Sequence, residues 1–201
     1  TMTSAVHILH QLNTDNSSNQ KSFDRCELDA CRRRDPLALE RFVLKHQNLV
    51  FSYLSRTLGR GPHVEDLAQE VFLKAYNALP RFDPNGPAEV STWLLTIASR
   101  VAIDAKRRHQ LPPTCESDNH VSHSAPSPET ESHRRELGLA LEQAAMQLPS
   151  DQRDVLVLAE AHDLSIADIA KVLDVPASTV KTRLFRARER MKALLGSLWE
   201  E

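Results

Sequence analysis

The sequence predicts an all-α fold of two small helical domains joined by a flexible linker. Apolar residues recur with helical period along most of the chain, and no segment alternates as a strand does. Glycine is scarce, at 5 in 201 residues, which leaves no room for glycine-rich phosphate loops or collagen-like repeats. Between Gln110 and Ser132 the composition breaks: four of the 11 prolines, five serines and four acids fall there, with no lysine or arginine. Leu111 and Val121 are its only large aliphatics, too little apolar surface to offset the entropy of ordering the segment. Its 23 residues reach roughly 75 Å when fully extended.

The elements follow in order. Residues 1–34 read as a polar lead-in with a Ser/Asn-rich tract, Asn13 to Asn19, and no fold of its own. Asp35-Pro36 reads as an N-cap followed by proline at the first helical position. Leu39, Phe42 and Val43 then mark one helix face. Leu49, Val50, Tyr53, Leu54 and Leu58 continue it until Gly59-Arg60-Gly61-Pro62 breaks the period. Val64, Leu67, Ala68, Val71, Phe72, Ala75 and Leu79 form the cleanest amphipathic stripe, ending at Pro80. A turn-rich loop, Asp83-Pro84-Asn85-Gly86-Pro87, leads to Ser91, a cap for a helix with Leu94, Ile97, Ala98, Val101 and Ala105 inward. Beyond the linker, Leu137, Leu141, Ala144 and Leu148 mark a helix stopped by Pro149, and Ser150 is placed to cap the next. Ser165 to Asp168 has the form of a capping box opening a short helix. The turn Asp174-Val175-Pro176 then leads into a long helix reaching about Leu198.

Composition excludes several functions. No stretch approaches the roughly 20 apolar residues of a membrane span, so no membrane insertion is expected. Residues 1–20 lack the basic start and sustained apolar run of a signal peptide. Three cysteines, Cys26, Cys31 and Cys115, make no disulfide framework, and a reduced cytoplasmic location is expected. No nucleophile–base constellation or phosphate loop points to an enzyme, and no cofactor is expected. Cys26 and Cys31 with His7 and His10, or Cys115 with His120 and His123, lack the paired short spacings of structural zinc sites. They read as unligated side chains. The formal charge of −2 comes from 25 basic and 27 acidic residues and gives no hint of a polyanionic partner.

Local faces say more than the average. On the last helix Val180, Leu184, Ala187, Met191, Leu194 and Leu195 cluster on one side, at about 100° per residue. Ser178, Lys181, Thr182, Phe185 and Arg186 fall opposite. From Lys181 to Lys192 six bases face one acid, Glu189, a local charge of +5. A short helix, a turn and a basic outer face suit major-groove reading, where Arg and Lys meet guanine edges or phosphates and Thr or Phe meets a thymine methyl. A solvated charged face is the plainer reading, but it leaves Phe185 on the polar side without a purpose. On the helix beginning at Val64, exposed Leu73 lies among Asp66, Gln69, Glu70 and Asn77, either a protein-binding surface or one incidental leucine. The helix from Thr92 presents Thr92, Thr96, Ser99, Arg100, Ile103 and Arg107. These either hold a nucleic-acid backbone or simply solvate the helix.

Three motifs carry a family resemblance: Asp66-Leu-Ala-Gln-Glu-Val-Phe-Leu-Lys-Ala-Tyr76, Ser91-Thr-Trp-Leu-Leu-Thr-Ile-Ala98 and Ser178-Thr-Val-Lys-Thr-Arg-Leu-Phe-Arg-Ala-Arg188. They closely resemble the extracytoplasmic-function (ECF, group IV) sigma factors of bacterial RNA polymerase, in order and at family spacing. The resemblance implies a region 2 domain over 35–109, a linker over 110–133 and a region 4 helix-turn-helix domain over 134–201. It implies that Asp66, Gln69, Glu70, Leu73 and Asn77 face core RNA polymerase. It places Asp83, Asn85, Thr92, Thr96, Ser99, Arg100, Ile103 and Arg107 at a melted −10 promoter element, where a base is flipped into a pocket at a cost of a few kcal/mol. Trp93 is expected to pack inward. It places Ser178, Lys181, Thr182, Arg183, Phe185, Arg186 and Arg188 at the duplex −35 element. It further implies an anti-sigma partner. One departure stands out: Ile97-Ala-Ser-Arg100 has arginine where the family usually has asparagine. The rival function is a stand-alone dimeric helix-turn-helix activator, which would leave the Asp66–Tyr76 motif unexplained.

Overall fold

A computed structural model describes residues 25–83, 86, 89–110 and 129–196. All the regular structure among them is helical, and they divide between two compact units. The first begins earlier than the sequence indicates, with α1 (Arg25–Arg32) inside the expected lead-in. Leu28 and Cys31 bury its inner face, at 4% and 1% exposure. A free cysteine behaves as a small hydrophobe, and a two-residue face is too short to stand out in a polar sequence. The helix ends on Arg34, at φ 63°, where the Asp35 amide donates to the Ala30 carbonyl at 3.1 Å. The Arg34 guanidinium lies 5.0 Å from the centre of the Tyr76 ring.

Helix α2 (Pro36–Leu58) starts as predicted, with Asp35 accepting from the Ala38 amide at 2.9 Å and proline in the first turn. It ends at Gly59, whose φ of 89° suits a residue without a side chain and whose amide donates to Ser55 at 2.9 Å. Ala38, Phe42, His46, Val50, Tyr53, Leu54 and Thr57 are buried. Val43, expected on the core face, is exposed. His46 instead continues the face from Phe42, with ring centroids 4.8 Å apart.

Helix α3 (His63–Ala78) buries Val64, Ala68, Val71 and Ala75 of the stripe read from the sequence, while Leu67 and Phe72 are half-buried. A 3-10 turn, Leu79–Arg81, follows and buries Leu79. Helix α4 (Val90–Gln110) begins one residue before the expected cap, leaving Ser91 in the first turn. The Glu89 carbonyl accepts from the Trp93 amide at 2.9 Å. Its buried stripe is Leu94, Leu95, Ala98, Val101, Ala102 and Ala105. The stripe is turned from the predicted one: Leu95 and Ala102 are inside, and Ile97 is only half-buried. Helices α2, α3 and α4 pack on one another pairwise, and α1 covers α2 and the 3-10 turn.

The helices that follow in the chain are α5 (Glu129–Met146), α6 (Ser150–Glu160), α7 (Ile166–Leu173) and α8 (Ala177–Gly196). Helices α4 and α5 extend into both ends of the expected linker, and residues 111–128 lie outside the described residues, as do 1–24. Ser150 opens α6 but makes no capping bond; Pro149 holds the cap position. Arg153 closes the end of the preceding helix. Its Nε donates to the Ala145 carbonyl at 3.0 Å, and its Nη2 donates to Met146 and Leu148 at 2.6 and 2.9 Å. These are C-terminal carbonyls that lack helical partners of their own. Ser165 caps α7, accepting from the Asp168 amide at 3.1 Å and donating to the Asp168 carboxylate at 2.6 Å.

Burial of His46 pushes its pKa down to about 4 from 6.5, with Lys45 adding repulsion. The fold therefore holds the neutral ring. Its stability is complete above about pH 6.5 and falls as the pH drops toward 4, because the unfolded chain takes up the proton first. Urea unfolding should show the region containing α2 losing about 2 kcal/mol between pH 7.5 and pH 5. His46→Gln should remove that loss; an equal loss in the variant assigns the pH dependence elsewhere.

Candidate functional site

Helix α8 is oriented by what it buries. Val180, Leu184, Ala187 and Met191 are inside, against α6 and α5. With that stripe fixed, the period of 3.6 residues turns Ser178, Lys181, Thr182, Phe185 and Arg186 outward, and all five are exposed. Phe185 is 67% exposed, an apolar ring in the middle of a basic face. Thr182 Oγ1 donates to the Ser178 carbonyl at 3.0 Å, leaving its methyl group for outside contacts.

Two arginines of the expected reading set lie on the flanks instead. Arg183 Nε meets Asp151 Oδ2 at 3.1 Å, at the start of α6. Arg188 donates through Nε and Nη2 to Glu160 Oε1, at 2.9 and 2.6 Å, at the other end of that helix. Arg190 Nη1 adds a bond to Gln152 Oε1 at 3.1 Å. The reason is angular. Arg183 and Arg188 border the buried stripe on opposite sides, within reach of the acids on α6. The sequence places all the bases on one helix but does not say which of them find carboxylates next door.

On α3, Asp66, Gln69, Leu73 and Asn77 are exposed on one face, as expected, with Leu73 at 62%. Glu70 is half-buried and paired, to Lys74 at 2.8 Å and to Arg108 of α4 at 3.6 Å. The Lys74 hydrogen bond holds its carboxyl below the usual range, and Arg108 adds to this. Glu70 thus ties α3 to α4.

On α4, Arg100 and Arg107 are exposed, and Thr92, Thr96 and Ile103 are half-buried. Thr96 Oγ1 donates to the Thr92 carbonyl at 2.9 Å. Ser99, expected to face outward, lies at the margin of the turned stripe, beyond Leu95 and Ala102, with Oγ donating to the Thr96 carbonyl at 2.9 Å. Asp83 is exposed, and Asn85 lies outside the described residues. Trp93 packs inward in part, its ring 4.9 Å from that of buried Phe82. Cys31 is buried and Cys26 exposed. No group of three metal-ligating side chains occurs among the described residues. His7, His10, Cys115, His120 and His123 lie outside them. None of the described helices is long and apolar enough to cross a membrane.

Comparison with known proteins assigns both units. Residues 42–111 match the sigma-70 region 2 family and residues 138–191 the sigma-70 region 4 family. The RNA polymerase sigma-H factor of Pseudomonas aeruginosa is 33% identical over 89% of this chain and 96% of its own. The chain belongs to the sigma-70 family. The ECF sigma-E factor of Escherichia coli, 34% identical over 83% of this chain and 91% of its own, and SigW of Bacillus subtilis, at 29% over 83% and 94%, place it among the ECF sigma factors. Solved structures share the fold. CnrH in complex with the cytosolic domain of CnrY has a TM-score of 0.62 at 24% identity, covering 87% of this chain and 97% of that one. RpoE of Bartonella quintana, in complex with the anti-sigma factor NepR, has a TM-score of 0.63 at 22% identity, covering 78% and 96%.

In sigma-70 terms, α2, α3 and α4 lie in region 2, and α5, α6, α7 and α8 in region 4. Sigma factors are transcription initiation factors rather than enzymes. Within region 4 the two flanking ion pairs differ in depth. Glu160 is only 11% exposed at its side chain, against 46% for Asp151. Removing Arg188 leaves a largely buried carboxylate unpaired, so Arg188→Ala should destabilise the region 4 unit by about 1–3 kcal/mol in urea melts. Arg186→Ala, at an exposed site, should stay within about 0.5 kcal/mol. Equal effects of the two would mean the Glu160 pair does not hold α8.

Proposed function

We propose that this sigma factor binds core RNA polymerase, reads a −35 element as duplex through α8, and engages the melted −10 element through α4 and the loop before it. The observation that carries the reading is the outward face of α8, where Lys181, Thr182, Phe185 and Arg186 are exposed together with a fully packed stripe behind them. A helix of this kind offers charge-assisted donors for guanine edges and apolar atoms for a thymine methyl. Ser178 stands at its start, Arg183 contributes from one flank, and Arg188 holds the other flank to Glu160.

Leu73, with Asp66, Gln69, Glu70 and Asn77 around it, is the polymerase-binding surface. Asp83, Asn85, Thr92, Thr96, Arg100, Ile103 and Arg107 form the −10 surface. Arg100 brings a charge where the family usually has an amide, which favours a backbone contact or a different base. Ser99, at the margin of that face, belongs to the same surface. The exposed apolar side chains Leu37, Leu44, Phe51 and Leu73 support an anti-sigma factor as a second protein partner. The proposed site of action is the cytoplasm, on a stress- or signal-regulated gene set.

Run-off transcription with purified core polymerase on a promoter library tests the function and reveals both elements. Transcripts should depend on the added chain and share a −35 and a −10 sequence. Tight, specific duplex binding by the chain without polymerase would instead establish the stand-alone activator. Arg186→Ala should cost about 1–3 kcal/mol at one −35 position, and an unchanged −35 preference removes Arg186 from the reading set. Leu73→Glu should weaken holoenzyme formation about fivefold or more with no change in melting temperature. Undiminished binding would move the polymerase surface off α3.

A further inference from the structure

The two arginines on the flanks of α8 are held differently, and the difference bears on DNA binding. Arg188 gives two N–H groups to one oxygen of Glu160, a carboxylate sheltered at 11% exposure. That arrangement is costly to open. Arg183 makes a single contact, Nε to Asp151 Oδ2 at 3.1 Å, with side-chain exposures of 31% and 46%. An exposed pair of this kind is weak and exchanges readily. Arg183 also shares a ridge with Arg186 and Arg190, at i, i+3 and i+7 on α8. When a helix lies in a major groove, its flanking ridges face the phosphate walls while its outer face meets the bases.

The geometry points to Asp151 as a stand-in for a DNA phosphate. It holds the Arg183 guanidinium, extended and oriented, at the edge of the reading face in the free protein. It surrenders that guanidinium to a backbone phosphate when α8 enters the duplex. Asp151 is thus a positioning residue that also lowers affinity, since the ion pair must be exchanged each time. The exchange is favoured because a phosphate contact releases condensed counterions, which a carboxylate on the protein does not. Base preference is untouched, because phosphate contacts carry no sequence information. Arg188 remains on Glu160 throughout. The inference rests on the reading of α8 as the −35 helix.

Binding of holoenzyme, made with the full-length chain, to a −35 duplex by fluorescence anisotropy across a salt series tests it. Asp151→Asn should bind about two- to fivefold tighter, the worth of an exposed pair, with the same base preference. Arg183→Gln should bind more weakly, and the slope of log affinity against log salt should fall by about 0.9, one phosphate contact. Combined with Arg183→Gln, Asp151→Asn should gain nothing. A gain that survives in the double variant would overturn the inference, because it would reflect only the loss of a negative charge near DNA. Unchanged or weaker binding by Asp151→Asn alone would overturn it too. Wild-type holoenzyme that binds the duplex without salt dependence would sink the reading of α8 and the inference together. Normal wild-type behaviour with an unresponsive Asp151→Asn sinks the inference alone.

Discussion

The packing of α8 on α6 is the interaction on which the DNA-facing chemistry depends. A helix with six bases in twelve residues can present them in any direction until one stripe is fixed. Val180, Leu184, Ala187 and Met191 fix it by leaving water. Val180, Leu184 and Met191 each contribute about 1.5–3 kcal/mol on burial, so together they outweigh the flanking ion pairs. The ion pairs act after the packing: they sort the bases into those pinned to α6 and those left outward. Arg186 and Lys181 are available to a duplex because Asp151 and Glu160 engage their neighbours and not them.

The same sorting explains the charge balance. The chain carries −2 in all, yet α8 alone is strongly basic. Between Glu142 and Asp174, seven acids stand against Arg153 and Lys171, a local charge of −5. Two of those acids are the ones found on Arg183 and Arg188. Part of the cancellation is therefore local contact rather than bookkeeping over the chain. A protein balanced in this way has little long-range pull on free DNA.

Much of this was legible in the sequence because the signals were periodic. The α3 stripe, the Asp35 cap and the two faces of α8 follow from spacing alone, and the motifs carried the family. The failures share one cause: side-chain partners from another element. Leu28 and Cys31 make a helix only because α2 lies beneath them. Ile97 gave way to Leu95 and Ala102 because α4 packs against both α2 and α3, and two neighbours widen and turn a buried arc. Ser150 was an apt cap by type, but α6 starts on it and Pro149 holds the cap position. The partners of Arg183 and Arg188 in the free chain were hidden for the same reason, because the spacing of bases on one helix says nothing of the acids on the next.

The central claim is that the face of α8 opposite α6 meets the promoter duplex. Hydroxyl-radical footprinting of side chains in holoenzyme, with and without promoter DNA, tests it without altering a residue. Phe185, 67% exposed, should be strongly protected by the promoter, while Met146 on α5, 37% exposed, should oxidise at the same rate in both samples. Equal oxidation of Phe185 with and without promoter would contradict the account.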